Sequence, residues 1–305
     1  MIGTTIAHKS TLVYFGDDTF AYAGRHQHDE MRLHTHSFVE VAIVSAGSAV
    51  HHSLDGRRPL TVGDAVLLRP GVWHGYEDCH DFEVYNFCFS AELLRRELAW
   101  TRDDPLLSHV LWTGPYAERR RGILTTHLAP AERVECFTHL DALADLHPRS
   151  RHLHRADMIA LVVLALGCVA RTVGADARPE PPHPAALEVM RRIENEPART
   201  WTLADLGDGL HLAPGYLVRL FKSVTGLPPM AFLSRHRVEM AAEMLLHTDR
   251  TVRAIAESVG WPDQNYFARR FRAHYGLTAT EYRARFTRGY ELGPSRPPAA
   301  VAQNG

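Results

Sequence analysis

Two groups of side chains in this chain have the types and spacing for chemistry. The first is His34-Thr-His36-Ser-Phe-Val-Glu40, then Gly47, and later Gly63-Asp-Ala-Val-Leu-Leu-Arg-Pro-Gly-Val-Trp-His74. Alternate residues of a strand point to one face, so His34, His36 and Glu40 line one wall, and His74 closes the set from a neighbouring strand. Imidazoles and a carboxylate gathered there hydrogen-bond a polar small molecule, or satisfy one another as structural groups. The second group is a pair of helix faces rich in Arg, Asn and Gln near the C-terminus. Elsewhere no nucleophile–base pair, phosphate loop or paired-carboxylate acid/base site is evident. No catalytic residue is assigned, and the chain reads as a non-enzyme.

The elements that must position the first group are short strands. Phe38–Val44, Ala49–Leu54, Ala65–Arg69 and Phe82–Phe89 are rich in β-branched or aromatic residues and are separated by Gly, Asp and Pro turns. Leu54-Asp-Gly-Arg57 is a hairpin signal. Several short strands at close spacing predict a small antiparallel barrel or sandwich. Ser90 caps a helix running to Leu98, and two more helices follow near Ala131–Leu146 and Arg151–Val173. Met158 to Ala170 is apolar nearly all round, which predicts a helix buried on more than one side.

Composition bounds the rest. The 305 residues predict two domains. Net charge is −1 overall, but residues 1–184 hold 18 basic and 23 acidic groups, whereas 185–290 hold 15 basic and 11 acidic. A basic part behind an acidic part points to a nucleic-acid reader. The boundary falls in the proline-rich stretch Gly174–Pro184, which reads as a linker. The expected parts are a sensing and dimerisation domain 1–173, a linker 174–184, a helical domain 185–290 and a disordered tail 291–305. Cys79, Cys88, Cys136 and Cys168 form no CxxC pair, so the reading is a reducing cytoplasm without a disulfide framework. The N-terminus lacks a basic start followed by an apolar run, and the longest apolar run is short of the ~20 residues of a membrane span. No membrane partner is expected.

The helical domain repeats itself. Thr202–Lys222 and Thr251–Arg272 each read as a short amphipathic helix, a three- or four-residue turn and a longer amphipathic helix. Tyr216, Arg219, Phe221 and Gly226 match Tyr266, Arg269, Phe271 and Gly276. Leu217, Leu220, Phe221 and Val224 form one buried face, and Gly215, Val218, Arg219 and Lys222 lie opposite. In the second copy the exposed face carries Asn265, Ala268, Arg269 and Arg272, with Gln264 beside them. An α-helix enters the DNA major groove, where Arg reads guanine and Asn or Gln reads adenine. Lys222 and Arg272, near the helix ends, suit phosphates. A joining helix near Pro229–Leu246 would hold the two units apart.

This part resembles the AraC/XylS-type transcription regulators. Ala254-Ile-Ala256, Gly260-Trp-Pro-Asp-Gln-Asn-Tyr-Phe267 and Phe271-Arg272 through Gly276 match that family's signature over about residues 185–288. The resemblance implies base contacts from Gly215, Val218 and Arg219 and from Gln264, Asn265 and Arg269. Gly215 and Val218 offer no side-chain hydrogen bonds, and His211 stands where the first turn often has Gly or Asn. The expected partners are double-stranded promoter DNA, RNA polymerase and a second copy of the chain.

The histidine-bearing segment resembles the cupin barrel motif. In cupins the matching residues, here His34, His36, Glu40 and His74, hold a divalent metal, a donor set suited to Zn, Fe, Mn or Ni. The spacing from Gly63 to Pro70 is one residue longer than in the cupin enzymes, and the usual Asn after the last His is missing. Leu33 to Phe89 is most similar to the rhamnose-responsive branch of the regulators. The resemblance implies an effector pocket for a sugar or sugar-like metabolite, with Arg32, His34, His36, Glu40, Trp73, His74 and Tyr85 as its lining. The expected fold is therefore α+β in two domains, a cupin-like β-barrel with trailing helices and an all-α double helix-turn-helix. No cofactor is required, and a divalent metal in the same pocket is the open alternative. The competing function is a metal-dependent cupin enzyme, a dioxygenase or isomerase, carrying a DNA-targeting domain.

Overall fold

The computed structural model describes residues 20–116, 120–146, 154–173 and 182–287. The expected linker lies mostly outside these, and the expected tail 291–305 lies wholly outside them. Seven antiparallel strands come first: β1 Ala21–Gln27, β2 Met31–His34, β3 Phe38–Ser53, β4 Gly56–Thr61, β5 Asp64–Leu68, β6 His74–Ser90 and β7 Ile123–His127. They form one sheet in the order β1-β6-β3-β5-β7, with β2 on β6 and β4 on β3.

β3 and β6 are the frame, at 16 and 17 residues. Two strands expected at Phe38–Val44 and Ala49–Leu54 are thus one strand, because irregular pairing with β6 between Val44 and Val50 bends it without ending it. The turn after Ser53 closes the hairpin onto Gly56, as the Asp-Gly pair predicts.

The helix capped by Ser90 is short. α1 covers Ala91–Arg95, and α2, Pro105–Ser108, continues through tight turns to Tyr116. α3 Pro130–Leu146 and α4 Arg155–Val173 form a hairpin against the sheet. Val39, Val41, Ile43, Tyr85, Phe87 and Phe89 share one core with Leu140, Val162 and Leu166 from these helices. α4 is long and apolar enough to cross a membrane by length and composition, but much of that apolar face is spent here. The opposite face of the sheet buries Val44, Val66, Leu68, Tyr76, Phe82 and Val84.

The C-terminal part is helical: α5 Pro184–Asn195, α6 Leu203–Gly207, α7 Pro214–Thr225, α8 Pro229–His247, α9 Val252–Ser258, α10 Gln264–Tyr275 and α11 Ala279–Thr287. The internal repeat holds at the start of each short helix and at the end of each longer one, whereas the longer helices begin differently, at uncapped Ala213 and at Asp263, whose side chain caps. Thr202 and Thr251 each accept a backbone N–H at the start of the short helix, and Gly226 and Gly276 end the longer helices at φ +76° and +72°. Leu217 and Phe221, like Phe267 and Phe271, are buried. α8 joins the copies. Its Arg237 donates to the carbonyls of Pro197, Arg199 and Gly260, so one guanidinium ties the segment before α6 to the turn after α9.

The two parts are docked. Arg69 at the end of β5 donates to the Tyr116 hydroxyl at 2.7 Å, and that hydroxyl donates to Glu239 of α8 at 2.7 Å. Arg102, stacked 3.7 Å above the Trp112 ring, pairs with Glu194 of α5. All are cut off from bulk water, where a broken charge pair is expensive.

Candidate barrel site and nucleic-acid interface

The barrel-side cluster forms because three backbone segments meet. His34 ends β2, Glu40 sits near the start of β3, and His74 begins β6 opposite both His34 and Ser53. One donor atom each from His34, Glu40 and His74 lies within 4.8 Å of the others. All three are buried, and both ring nitrogens of His74 lack a hydrogen-bond partner.

His36 plays a different part. Its Nδ1 donates to the Phe38 carbonyl at 2.9 Å and its Nε2 lies 3.0 Å from Glu40 Oε2. That ion-pair contact sets His36 behind the carboxylate rather than among the three converging donors. His34 Nδ1 donates to the Arg32 carbonyl at 3.0 Å, which fixes that ring in turn.

The electrostatics follow from burial. Burial drives the Glu40 carboxyl up, but the His36 hydrogen bond and the charges of His36, His34 and His26 outweigh it, and the net shift is downward. Burial, then the neighbouring His34, His36 and His51, pushes His74 well below the ordinary histidine range. An unprotonated imidazole beside an ionised carboxylate is the form that binds a cation or accepts a hydrogen bond.

The sequence reading missed His51. It is buried, its Nε2 has no partner, burial pulls its pKa down to about 4, and its ring lies 5.7 Å from that of His74. Strict alternation from Glu40 selects His52 instead. The register shifts between Val44 and Val50 reverse the parity, so His51 faces inward while His52 pairs with Glu77. Tyr76 was also missed, and stacks between His51 and His28.

Three expected pocket residues lie elsewhere. Tyr85 pairs with Ile43, on the opposite face from Glu40, and its hydroxyl donates to Asp141 of α3 at 2.7 Å. Trp73 points away from the cluster and donates from Nε1 to the Tyr275 carbonyl of α10 at 3.1 Å. Arg32 is exposed on β2. His34, His36, Glu40 and His74 are brought together.

The cluster's own flanks carry the helical part. Thr35, between His34 and His36, hydrogen-bonds the Tyr282 hydroxyl at 3.3 Å. Tyr282 donates to the Gly71 carbonyl at 2.8 Å, and the Gly71 N–H donates to His36 O at 2.8 Å. Gly71 has φ +83°, and a Cβ there would lie 2.6 Å from the Tyr275 hydroxyl.

The reading face is open. Gly215, Arg219 and Lys222 on α7 and Gln264, Asn265, Arg269 and Arg272 on α10 are exposed, and Val218 is half-buried. Arg269 lies 5.8 Å over the Tyr266 ring, which orders its stem. His211, in the first turn, adopts φ +54°, the left-handed backbone that its place in the family pattern implies.

Residues 18–113 match the family model described as an AraC-like ligand binding domain, and residues 206–285 match a helix-turn-helix domain. The chain is 25% identical over 262 residues to an HTH-type transcriptional activator RhaR of Mannheimia succiniciproducens, covering 86% of this chain and 90% of that one. It is 25% identical over 284 residues to the protein of that name from Yersinia pestis bv. Antiqua, covering 91% and 93%. The fold is similar to ToxT from Vibrio cholerae O395 (TM-score 0.50, 12% identity, 88% of this chain and 98% of that one). It is also similar to unsaturated-fatty-acid-bound ToxT from strain SCE256 (TM-score 0.51, 12% identity, 88% and 95%). An AraC-like ligand binding domain packed against two helix-turn-helix units makes this chain a DNA-binding transcription regulator under effector control, similar over most of its length to those activators.

Proposed function

We propose that the protein activates transcription as a homodimer on double-stranded promoter DNA, helping to recruit RNA polymerase when a sugar-like metabolite enters the barrel. One observation carries the control step. The segments holding the barrel histidines, Thr35 and Gly71–Trp73, are the same segments that seat Tyr275 and Tyr282 of the second helix-turn-helix unit. A ligand that shifts His36 or His74 moves that seat through the covalent chain. It controls DNA binding only if it prefers one docking arrangement to the other. The relatives' description as activators supports the direction. Exposed Val134 on α3 and Leu164 on α4 support a second copy of the chain as the cover for that face.

This reading needs no cofactor. A second reading, with a divalent cation in the cluster, is favoured by the three converging donors and the unpartnered His74 nitrogens. His34, Glu40 and His74 would hold it, and it would act as a Lewis acid toward a ligand hydroxyl. The reading with metal is also where an enzymatic side activity would reside.

The test is a thermal-shift screen of the purified chain with monosaccharides, with and without chelator, followed by promoter-binding titrations. A sugar that raises the melting temperature and also changes promoter affinity is the expected result. Binding that leaves promoter affinity unchanged sinks the control step. Loss of the shift in chelator selects the metal reading over the metal-free one.

A further inference from the structure

A second group of metal-type donors lies away from the barrel cluster, between α3 and α4 on the other face of the sheet. Glu135 and His139 are one turn apart on α3, and Cys168 faces them from α4. One donor atom of each lies within 4.8 Å of the other two. Cys136, beside Glu135, turns inward and donates from Sγ to the Ala165 carbonyl at 3.9 Å, and both cysteines are fully buried. A cation already serves these groups. Arg171 Nη2 donates to Glu135 Oε1 at 2.7 Å and to Cys168 Sγ at 3.5 Å.

We propose that Glu135, His139 and Cys168 form a site for a thiophilic divalent cation of the zinc class that staples α3 to α4. The donor chemistry chooses the cation. One sulfur, an imidazole and a carboxylate make a three-donor set, with water completing four-coordination, that favours zinc over magnesium or calcium. The placement suits a staple. Positions 135 and 139 are neighbours one turn apart on α3. Cys168 lies one turn before Thr172, which hydrogen-bonds Thr126 of β7 at 2.8 Å. A cation here therefore fixes α3 to the helix already tied to the sheet. Binding expels the Cys168 thiol proton to solvent and releases Arg171 from Glu135 and Cys168. Arg171 is exposed and has solvent to move into.

The full-length, reduced and chelator-stripped protein would be titrated with Co²⁺, reading sulfur-to-cobalt charge-transfer absorption. The three converging donors of the barrel cluster are nitrogen and oxygen, and because Cys88 pairs across from Glu40, the band must also be retained in Cys88→Ser. The expected result is one equivalent of thiolate-bound Co²⁺, displaced by Zn²⁺ and retained in His74→Ala. Cys168→Ser loses the band. Glu135→Gln, an exposed change that spares the fold, weakens Co²⁺ binding at least about tenfold. Arg171→Ala, which removes the competing cation, tightens it. Absence of the band in the wild type, its persistence in Cys168→Ser, or its loss in Cys79→Ser instead overturns the proposal.

Discussion

At the scale of single residues, three side chains make separate, measurable contributions. Arg269 stands exposed on α10 over Tyr266 and is the residue proposed to read a base edge. Arg269→Ala should cost about 1–3 kcal/mol at one base pair of the preferred site and little elsewhere. Binding to a panel of single-base variants of a site selected from random DNA checks this. A uniform loss would make Arg269 a phosphate contact. His211 holds φ +54° on an exposed turn. Glycine removes the left-handed strain of about 1 kcal/mol, so His211→Gly should stabilise by up to that amount in urea unfolding. His236 of α8 is pulled down to about 3 by burial and by the Arg69, Arg95, Arg102 and Arg237 guanidiniums. Its neutral form is the folded one. As pH falls below the ordinary histidine value the unfolded chain takes up the proton first, so stability declines from about 6.5 down to about 3. Relative to His236→Gln, the wild type should lose about 2 kcal/mol between about pH 7 and pH 5.

At the scale of elements, α8 and the β5–β6 connection determine how the reader sits on the sensor. Glu239 is pushed upward by burial and opposed by Arg69 and the Tyr116 hydroxyl. Removing the carboxylate leaves the buried Arg69 charge with only neutral hydrogen-bond partners, the Tyr116 phenol and the Leu111 carbonyl. Glu239→Leu should cost about 3–5 kcal/mol of stability. Gly71→Ala introduces a Cβ against Tyr275 at a positive φ, and should release the second unit while leaving the barrel folded. Limited proteolysis would show it as faster cleavage between residues 247 and 264. An unchanged pattern would mean that this docking contributes little. The repeat, its caps and the apolar face of α4 were all legible, because helix periodicity and capping are local. The length of β3 was not, since Gly47 in Ser45-Ala-Gly-Ser-Ala49, which the structure holds at φ +66° in a bulge, reads equally well as a turn between two strands.

At the scale of the molecule, the charge division becomes a geometry. The exposed basic faces of α7 and α10 lie on the helical part, and the acidic sensor packs against α5, α8 and α11. Phosphate contacts release counterions, so Lys222→Ala and Arg272→Ala should each lower the salt slope of DNA binding by about 1. Equal slopes in all three proteins would remove both residues from the interface. The effector should alter the affinity of the intact chain for DNA and leave Gly71→Ala less responsive, because that variant lacks the seat through which the barrel acts.

The sequence by itself determined the two parts, the duplicated reader with its exposed Arg, Gln and Asn, and the gathering of His34, His36, Glu40 and His74. Each of those rests on short-range spacing along one helix or strand, or on a motif that carries its own register. Tertiary structure alone decided the rest. It turned Trp73 toward Tyr275 and Tyr85 toward Asp141, brought His51 inward through bulged pairing, and set Cys168 beside Glu135 and His139. It also joined the sensor to the reader through Arg69, Tyr116 and Glu239. Those outcomes depend on which face a bent strand presents and on contacts between residues from tens to about two hundred positions apart, and neither quantity is written in local sequence pattern.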